Sequence, residues 1–144
     1  MVTETAQILC TVLHKHGVDA HYKPTHINNP CINWASKSKA NFKYLLELGI
    51  EIGNEYTYRY NKIHKAQLVL FDIQKLVDSI KFENNELTEF IQCTNDIKHK
   101  NVDVAYQMYF NKYKQHIAVW KNRDIPEWFK PNKNILENNT TFVK

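Results

Sequence analysis

The sequence predicts an all-α fold: a single compact domain of about four helices, with a long second helix and an aromatic-rich C-terminal helix. Apolar residues recur at helical spacing in four separate segments, whereas no alternating strand pattern extends beyond about four residues. The 144 residues include only three Gly and four Pro, so long segments lack helix breakers. We expect a helical globular domain over residues 1–129 and a flexible polar tail over residues 130–144.

The first helix is predicted over Thr3 to His16, with Gly17 as its C-terminal stop. Its apolar residues follow the spacing of an amphipathic helix and are Ile8, Leu9, Val12 and Leu13. The next stretch, from Val18 to Pro30, carries two Pro and has no hydrophobic period, so it is predicted to be an ordered loop.

The longest helix is predicted between Ile32 and Tyr60, where no Pro occurs and two adjacent stripes of residues recur at helical spacing. Gly49 and Gly53 lie four residues apart on this helix. Each costs about 1 kcal/mol relative to Ala within a helix. We interpret them as positions at which another backbone approaches closely.

A third helix is predicted over about Lys62 to Ile80, followed by an irregular segment from Lys81 to Asn101. A last helix, ending near Arg123, has a predicted buried face of Val102, Tyr106, Tyr109, Tyr113, Ile117 and Trp120. The segment from Arg123 to Phe129 is expected to fold back onto the body. An oligomer interface on the aromatic stripe is the alternative to core packing, and the sequence leaves the oligomeric state open.

Composition excludes several classes of protein. A membrane span is excluded because no apolar run approaches the roughly 18–20 residues that a spanning helix needs. The N-terminal segment lacks the basic stretch of a secretory signal, so we expect an intracellular protein without membrane association. The formal net charge of +4 favours polyanionic partners.

No cofactor and no metal site are predicted. The three cysteines, Cys10, Cys31 and Cys93, lack the CxxC spacing of zinc or redox sites and are expected to be free, mostly buried thiols. His21 and His26 have only Asp19 nearby as a further ligand, which is too few for a metal site.

The run EYTYRYNKIHK, from Glu55 to Lys65, combines tyrosines with cations. Arg and Lys neutralise phosphate, while tyrosines stack on exposed bases, so the run predicts nucleic-acid or nucleotide binding. Its candidate binding residues are Tyr56, Tyr58, Arg59, Lys62, His64 and Lys65. The alternative interpretation is an ion pair between Glu55 and Arg59 on a solvated helix face.

Two further candidates lie outside this run. Lys23 and His26 belong to the predicted loop beside the start of the second helix and are candidate binding residues. Glu4 is a carboxylate in the first turn of the first helix, where it favours the helix dipole.

Four motifs, taken in order, resemble a phage and large-virus family of small uncharacterised proteins. They are ETAQILCT, YKPTHINNPCINW, NFKYLLELGIEIGNEYTYRYNKIHK and WKNRDIPEWF, and the resemblance spans Glu4 to Phe129. Relatives carry a further segment before ETAQ, so the resemblance implies a shortened member, an altered start site or a fragment. Asn29 also departs from the pattern, because relatives have His before this Pro.

That family is in turn distantly similar to the pyrimidine-dimer DNA glycosylases of the endonuclease V type. The similarity rests on a first-helix Glu, here Glu4, on Arg59 in the long helix, and on the close formed by Pro126, Trp128 and Phe129. It implies an all-helical DNA-repair-like protein with a basic face that acts on or binds damaged DNA. It also implies an intracellular location, in the host cytoplasm or nucleus or in the virion.

The similarity further implies a mechanism. In those enzymes the N-terminal α-amine attacks the sugar C1′ and forms a Schiff base, while a helix carboxylate stabilises the sugar cation. Glu4 would be that catalytic carboxylate, and the activity would be that of a DNA glycosylase/AP lyase. The alternative function is a non-catalytic viral protein that binds a nucleotide or nucleic acid.

Overall fold

The computed structural model describes residues 1–130, which contain helices and no strand. Short 3₁₀ turns follow the fourth and fifth helices, at Val77–Ser79 and Gln115–Ile117. The predicted all-α class is confirmed, with five α-helices in this range instead of about four. They are α1 (Val2–Lys15), α2 (Pro30–Lys37), α3 (Lys39–Tyr60), α4 (Lys65–Leu76) and α5 (Val102–Tyr113).

The chain divides into two compact units, Met1–Ile91 and the residues from 92 onwards. In the first unit, α1, α2, α3 and α4 pack on one another. In the second unit, α5 and the segment after it form an aromatic cluster. One domain over residues 1–129 stays a prediction, and the predicted tail, apart from Lys130, lies outside the described residues.

The predicted long second helix is wrong as a single element, because it is two helices separated at Ser38. Ser38 is buried and extended (φ −151°, ψ 157°), and its hydroxyl accepts a hydrogen bond of 3.0 Å from the Asn41 amide. Serine favours this N-cap geometry over the helix interior, so α2 ends at Lys37 and α3 begins at Lys39. The long helix is therefore the third in the chain.

The two glycines of α3 do mark a close contact, but the groups that approach them are side chains, not another backbone as predicted. A Cβ added at Gly49 would lie 2.7 Å from Thr5 Cγ2 on α1 and 2.9 Å from Leu70 Cδ1 on α4. A Cβ added at Gly53 would lie 2.5 Å from Cδ of the buried Gln67 on α4. Both neighbouring helices thus pack on the glycine face of α3.

These contacts also fix the directions of the helices in the first unit. Thr5, near the start of α1, meets Gly49, whereas His16, just past its end, packs on Phe82, whose ring packs on Phe42 near the start of α3. α1 therefore runs antiparallel to α3, and the glycine contacts make α4 antiparallel to α3 as well. The start of α1, the end of α3 and the start of α4 lie at the same end of this unit.

Hydrogen bonds attach the loop between α1 and α2, residues 18–29, along one side of α1. The Thr25 amide donates to Thr11 Oγ1 at 3.1 Å, and His14 Nε2 donates to the Tyr22 carbonyl at 3.0 Å. Gly17 opens the loop with a φ of +74°, which is the predicted helix stop.

Residues 81–91 are irregular, as predicted, and a buried amide holds them against the break between α2 and α3. Asn41 donates from Nδ2 to the Trp34 carbonyl and to Thr88 Oγ1, both at 2.8 Å, and its Oδ1 accepts from the Thr88 amide. The Trp34 indole donates to the Glu89 carbonyl at 2.8 Å. These bonds satisfy polar groups that would otherwise be buried without partners.

The last helix ends at Tyr113, ten residues before the predicted end near Arg123. The chain then reverses, and the segment folds back as predicted, so that Phe110 packs against Trp120, Trp128 and Phe129. The predicted buried face is wrong, because none of its six residues is buried. Four of them are half-buried and two are exposed. Tyr106 is 39% exposed and Ile117 is 60% exposed.

A charged cluster joins the start of the second unit to the end of α5. Asp96 accepts a hydrogen bond of 2.6 Å from Lys112 Nζ and a second one from the Tyr113 hydroxyl. These two donors lower the pKa of Asp96 to about 2, with the Lys112 bond the larger cause. The same contact raises the pKa of Lys112.

We expect Gly49→Ala to destabilise the first unit by about 1–2 kcal/mol. Overpacking a core costs up to about 3 kcal/mol, which exceeds the helix-propensity gain of about 1 kcal/mol. In urea unfolding, the variant should unfold at a lower midpoint concentration of urea, with the m value unchanged. Thr5→Ser in the Gly49→Ala background should recover part of the loss, because it removes Cγ2 and keeps the hydroxyl. A loss no larger than that of Glu47→Ala, on the exposed face of α3, would contradict the expected clash.

The Asp96 cluster predicts a titration near pH 2. Because the folded pKa is lowered, the stabilisation is present above the ordinary pKa of 3.8 and is lost as the pH falls towards 2. Carboxyl NMR should show a midpoint for Asp96 near 2 that moves up towards 3.8 in Lys112→Met. Lys98→Met serves as the control and should leave the midpoint in place. An unchanged midpoint in Lys112→Met would rule out Lys112 as the main cause.

Candidate nucleic-acid interface

The predicted binding run forms the corner where α3 turns into α4. We call Glu55–Lys65 the α3–α4 corner. Asn61 ends α3 in the left-handed conformation (φ 51°), and its amide donates to the Thr57 carbonyl at 2.8 Å. His64 caps α4, with Nδ1 accepting a hydrogen bond of 3.1 Å from the Ala66 amide. Both ends of the turn are therefore fixed by hydrogen bonds.

Aromatic rings gather on this corner. The Tyr56 ring lies 4.9 Å from the Tyr60 ring and 4.9 Å from the His64 ring, measured between centroids. Tyr58 and Tyr60 are 54% and 40% exposed, respectively. The corner thus presents tyrosine surface to a ligand while Tyr56 remains half-buried beneath it.

The cations of the corner divide into two kinds. Arg59 donates from Nε to Glu55 Oε1 at 2.7 Å, so the ion pair of the alternative interpretation is present. Lys62 and Lys65 are exposed, and neither makes an ion pair with any residue between 1 and 130. This pair is half-buried, with 19% of the Arg59 side chain and 35% of the Glu55 side chain exposed, so a phosphate would have to displace Glu55 to bind Arg59.

Glu4 lies exposed in the first turn of α1 and makes no hydrogen bond or ion pair within residues 1–130. The start of α1 is at the same end of the unit as the corner. Arg59 is ten residues beyond Gly49, which Thr5 contacts, and this corresponds to about 15 Å along the axis of α3. A nucleic-acid strand of about five nucleotides spans that distance.

Lys23 and His26 are exposed on the loop beside α1, outside the α3–α4 corner. The loop is attached at Thr11, six residues or about 9 Å along α1 from Thr5 and away from the corner. His26 adopts a left-handed φ of 47°, and its carbonyl accepts a hydrogen bond of 2.7 Å from the Asn29 amide. The structure therefore gathers six of the nine candidate residues at the corner and keeps these two apart from it.

Two roles at the corner were absent from the sequence prediction. His64 was expected to bind a ligand, yet its ring also caps α4, and histidine is not among the residues that usually signal an N-cap. Asn61 was not singled out, although Asn is the residue after Gly that most readily adopts the left-handed conformation. Only this second role carried a sequence signal.

Three other findings concern the chemistry that the described residues offer. Cys10, Cys31 and Cys93 form no disulfide with one another, but only Cys10 is buried, and burial raises its pKa. Between residues 1 and 130 no group of three His, Cys, Asp or Glu side chains is arranged to hold a metal ion. In the same range, no helix has the length and apolar character needed to cross a membrane.

Comparisons of this chain with protein families, with curated proteins and with solved structures find no match. The resemblance to the viral family and to the pyrimidine-dimer glycosylases stays a prediction. The candidate site accordingly rests on the geometry of the corner and of Glu4.

Proposed function

We propose that this chain is a DNA-repair-like protein that binds damaged DNA through the α3–α4 corner. The observation that carries the proposal is that Lys62 and Lys65, exposed and without ion pairs in the described residues, belong to the same corner as the exposed Tyr58 and Tyr60. Lysines neutralise phosphates without reading sequence, whereas tyrosine rings accept unstacked bases. A damaged duplex offers both because its bases unstack at lower cost.

The fixed turn supports the same proposal. The Asn61 and His64 hydrogen bonds hold the backbone between the two lysines before any ligand arrives. A ligand therefore loses less of its binding free energy to ordering the protein. Arg59 adds a third cation once a phosphate displaces Glu55.

We expect Lys62→Ala with Lys65→Ala to weaken binding to an abasic-site duplex by tenfold or more. Each lost phosphate contact should also reduce the slope of log K against log salt concentration by about 1 in magnitude. The slope of the double variant should therefore be smaller by about 2. Fluorescence anisotropy at several salt concentrations measures both quantities.

The matched control is Lys37→Ala with Lys43→Ala, which removes the same charge from the first unit. Lys43 lies 16 residues, or about 24 Å, before Arg59 along α3, so it is outside the corner. Equal weakening by both double variants would show that net charge alone drives binding, and the corner would lose its assigned role.

Glycosylase/AP lyase activity is a second candidate function, favoured by the position of Glu4. This carboxylate is exposed, has no partner within residues 1–130, and lies at the end of the unit that carries the corner. In the implied reaction, an amine of the chain attacks C1′ as the bond to the base breaks, and the departing base takes up a proton. The sugar ring then opens at its C1′–O4′ bond, a proton passes from the nitrogen to O4′, and the resulting imine links protein to sugar. Glu4 would stabilise the positive charge that develops on the sugar.

Borohydride trapping tests this second function. Reduction of the imine should give a covalent adduct with abasic-site DNA, and Glu4→Gln should lower its yield by tenfold or more while DNA binding is retained. A known AP lyase serves as the positive control. If that enzyme is trapped and this chain is not, the Schiff-base mechanism is excluded, which favours a non-catalytic nucleic-acid-binding protein as the function.

A further inference from the structure

The positive charge of the chain is unevenly distributed between its two units. Residues 1–91 contain ten Lys and Arg and ten Asp and Glu, so this unit is formally neutral. Residues 92–130 contain seven Lys and Arg against four Asp and Glu, which is a net charge of +3. Most of the excess that favours polyanions is therefore outside the unit that holds the α3–α4 corner.

Within the second unit, two lysines lie next to two tyrosine rings of α5. The Tyr109 and Tyr113 rings are one turn apart, with centroids separated by 5.3 Å. Lys112 Nζ lies 5.1 Å from the Tyr113 centroid, and Lys114 Nζ lies 5.9 Å from the Tyr109 centroid. We call these four residues the α5 ladder.

Parts of the ladder are held in place before any ligand binds. The Tyr113 hydroxyl donates to Asp96, and Lys112 Nζ donates to the same carboxylate at 2.6 Å. The Tyr106 ring lies on the same face of α5. Its hydroxyl accepts a hydrogen bond of 3.3 Å from the Cys93 amide, which fixes the ring. Rings that are already ordered lose little conformational entropy when a base stacks on them.

We propose that the α5 ladder is a second nucleic-acid site, separate from the α3–α4 corner, that takes a single-stranded segment. Tyr109 and Tyr113 stack on unpaired bases, and Lys114 contacts a phosphate, while Lys112 stays paired with Asp96 beside Tyr113. The two rings are tilted by 48° to one another, so each ring takes its own base, and stacking on an aromatic ring is tolerant of which base it is. Paired bases hide their faces in the duplex stack, so the ladder favours single strands over duplex.

A second copy of this chain is the rival occupant of the same face. A two-fold interface would bring two surfaces of the same positive unit together, and like charges oppose such an association. A nucleic-acid strand has the complementary charge, and its binding releases counterions. Charge complementarity thus favours the strand.

The experiment uses the full chain with Lys62→Ala and Lys65→Ala already present, which removes the corner lysines. Anisotropy of a labelled oligo-dT of about 12 nucleotides, within the range of known single-strand sites, measures affinity. Tyr109→Leu should weaken binding by fivefold or more, because one stacking contact contributes about 1–3 kcal/mol. Tyr109→Phe keeps the ring and should bind within about twofold of its parent, since stacking needs no hydroxyl.

Charge is tested by Lys114→Gln, which should weaken binding, with Lys37→Gln of the first unit as a control of equal charge.

A photo-crosslinking experiment uses the unmodified chain, so its result does not depend on whether a variant folds. The crosslink from an iodouridine-substituted oligonucleotide should map to Tyr109 or Tyr113. Binding that is unchanged in Tyr109→Leu and Lys114→Gln would overturn the proposal. A dimer that both variants dissociate would assign the face to a second copy instead.

The two proposals fail in different ways. The corner variant carries Lys62→Ala and Lys65→Ala. If it loses duplex binding but still binds oligo-dT, the result supports both sites. If the corner variant binds duplex as the wild type does, the corner fails, and the effect of Tyr109→Leu on oligo-dT still decides the ladder.

Discussion

The close contact of α3 with α1 and α4 is the constraint on which the first unit depends. Gly49 and Gly53 have no side chain to separate the helices, so Thr5, Leu70 and Gln67 reach the backbone of α3. Gln67 also donates to the Ile50 carbonyl at 3.2 Å, which ties α4 to α3 by a hydrogen bond. This packing sets the start of α1, and with it Glu4, beside the middle of α3, about 15 Å along the helix axis from Arg59.

Side chains at the helix ends then determine the shape of the surface. Ser38, Asn61 and His64 each supply a local hydrogen bond or a backbone conformation that a helix interior does not provide. Such caps contribute about 0.5–2 kcal/mol each, far less than core packing, yet they decide where the chain turns. Helix packing therefore determines the position of the corner, and the helix caps determine its backbone conformation.

Hydrophobic periodicity predicted the helical class and most helix positions, because these depend on residues three and four apart. The spacing of the two glycines predicted a close contact on α3, although side chains make it and not another backbone. The periodicity did not predict the helix break at Ser38, because the apolar stripes continue nearly in phase across this single capping residue. It failed again after Tyr113, because the partners of Phe110 come from residues that return after a reversal. At the site, composition identified the corner residues, whereas the pairing of Arg59 and the cap of His64 depend on rotamers that spacing does not specify.

Local charge matters more than total charge for the proposed binding surface. The first unit is formally neutral, but Glu51 on α3 lies eight residues, or about 12 Å, before Arg59 along the axis. That exceeds the screening length of about 8 Å at physiological ionic strength. Glu51 consequently contributes little to the potential at Lys62, which follows Arg59 in the chain. Within the corner, Glu55 offsets the charge of Arg59, so the local positive excess comes from Lys62 and Lys65.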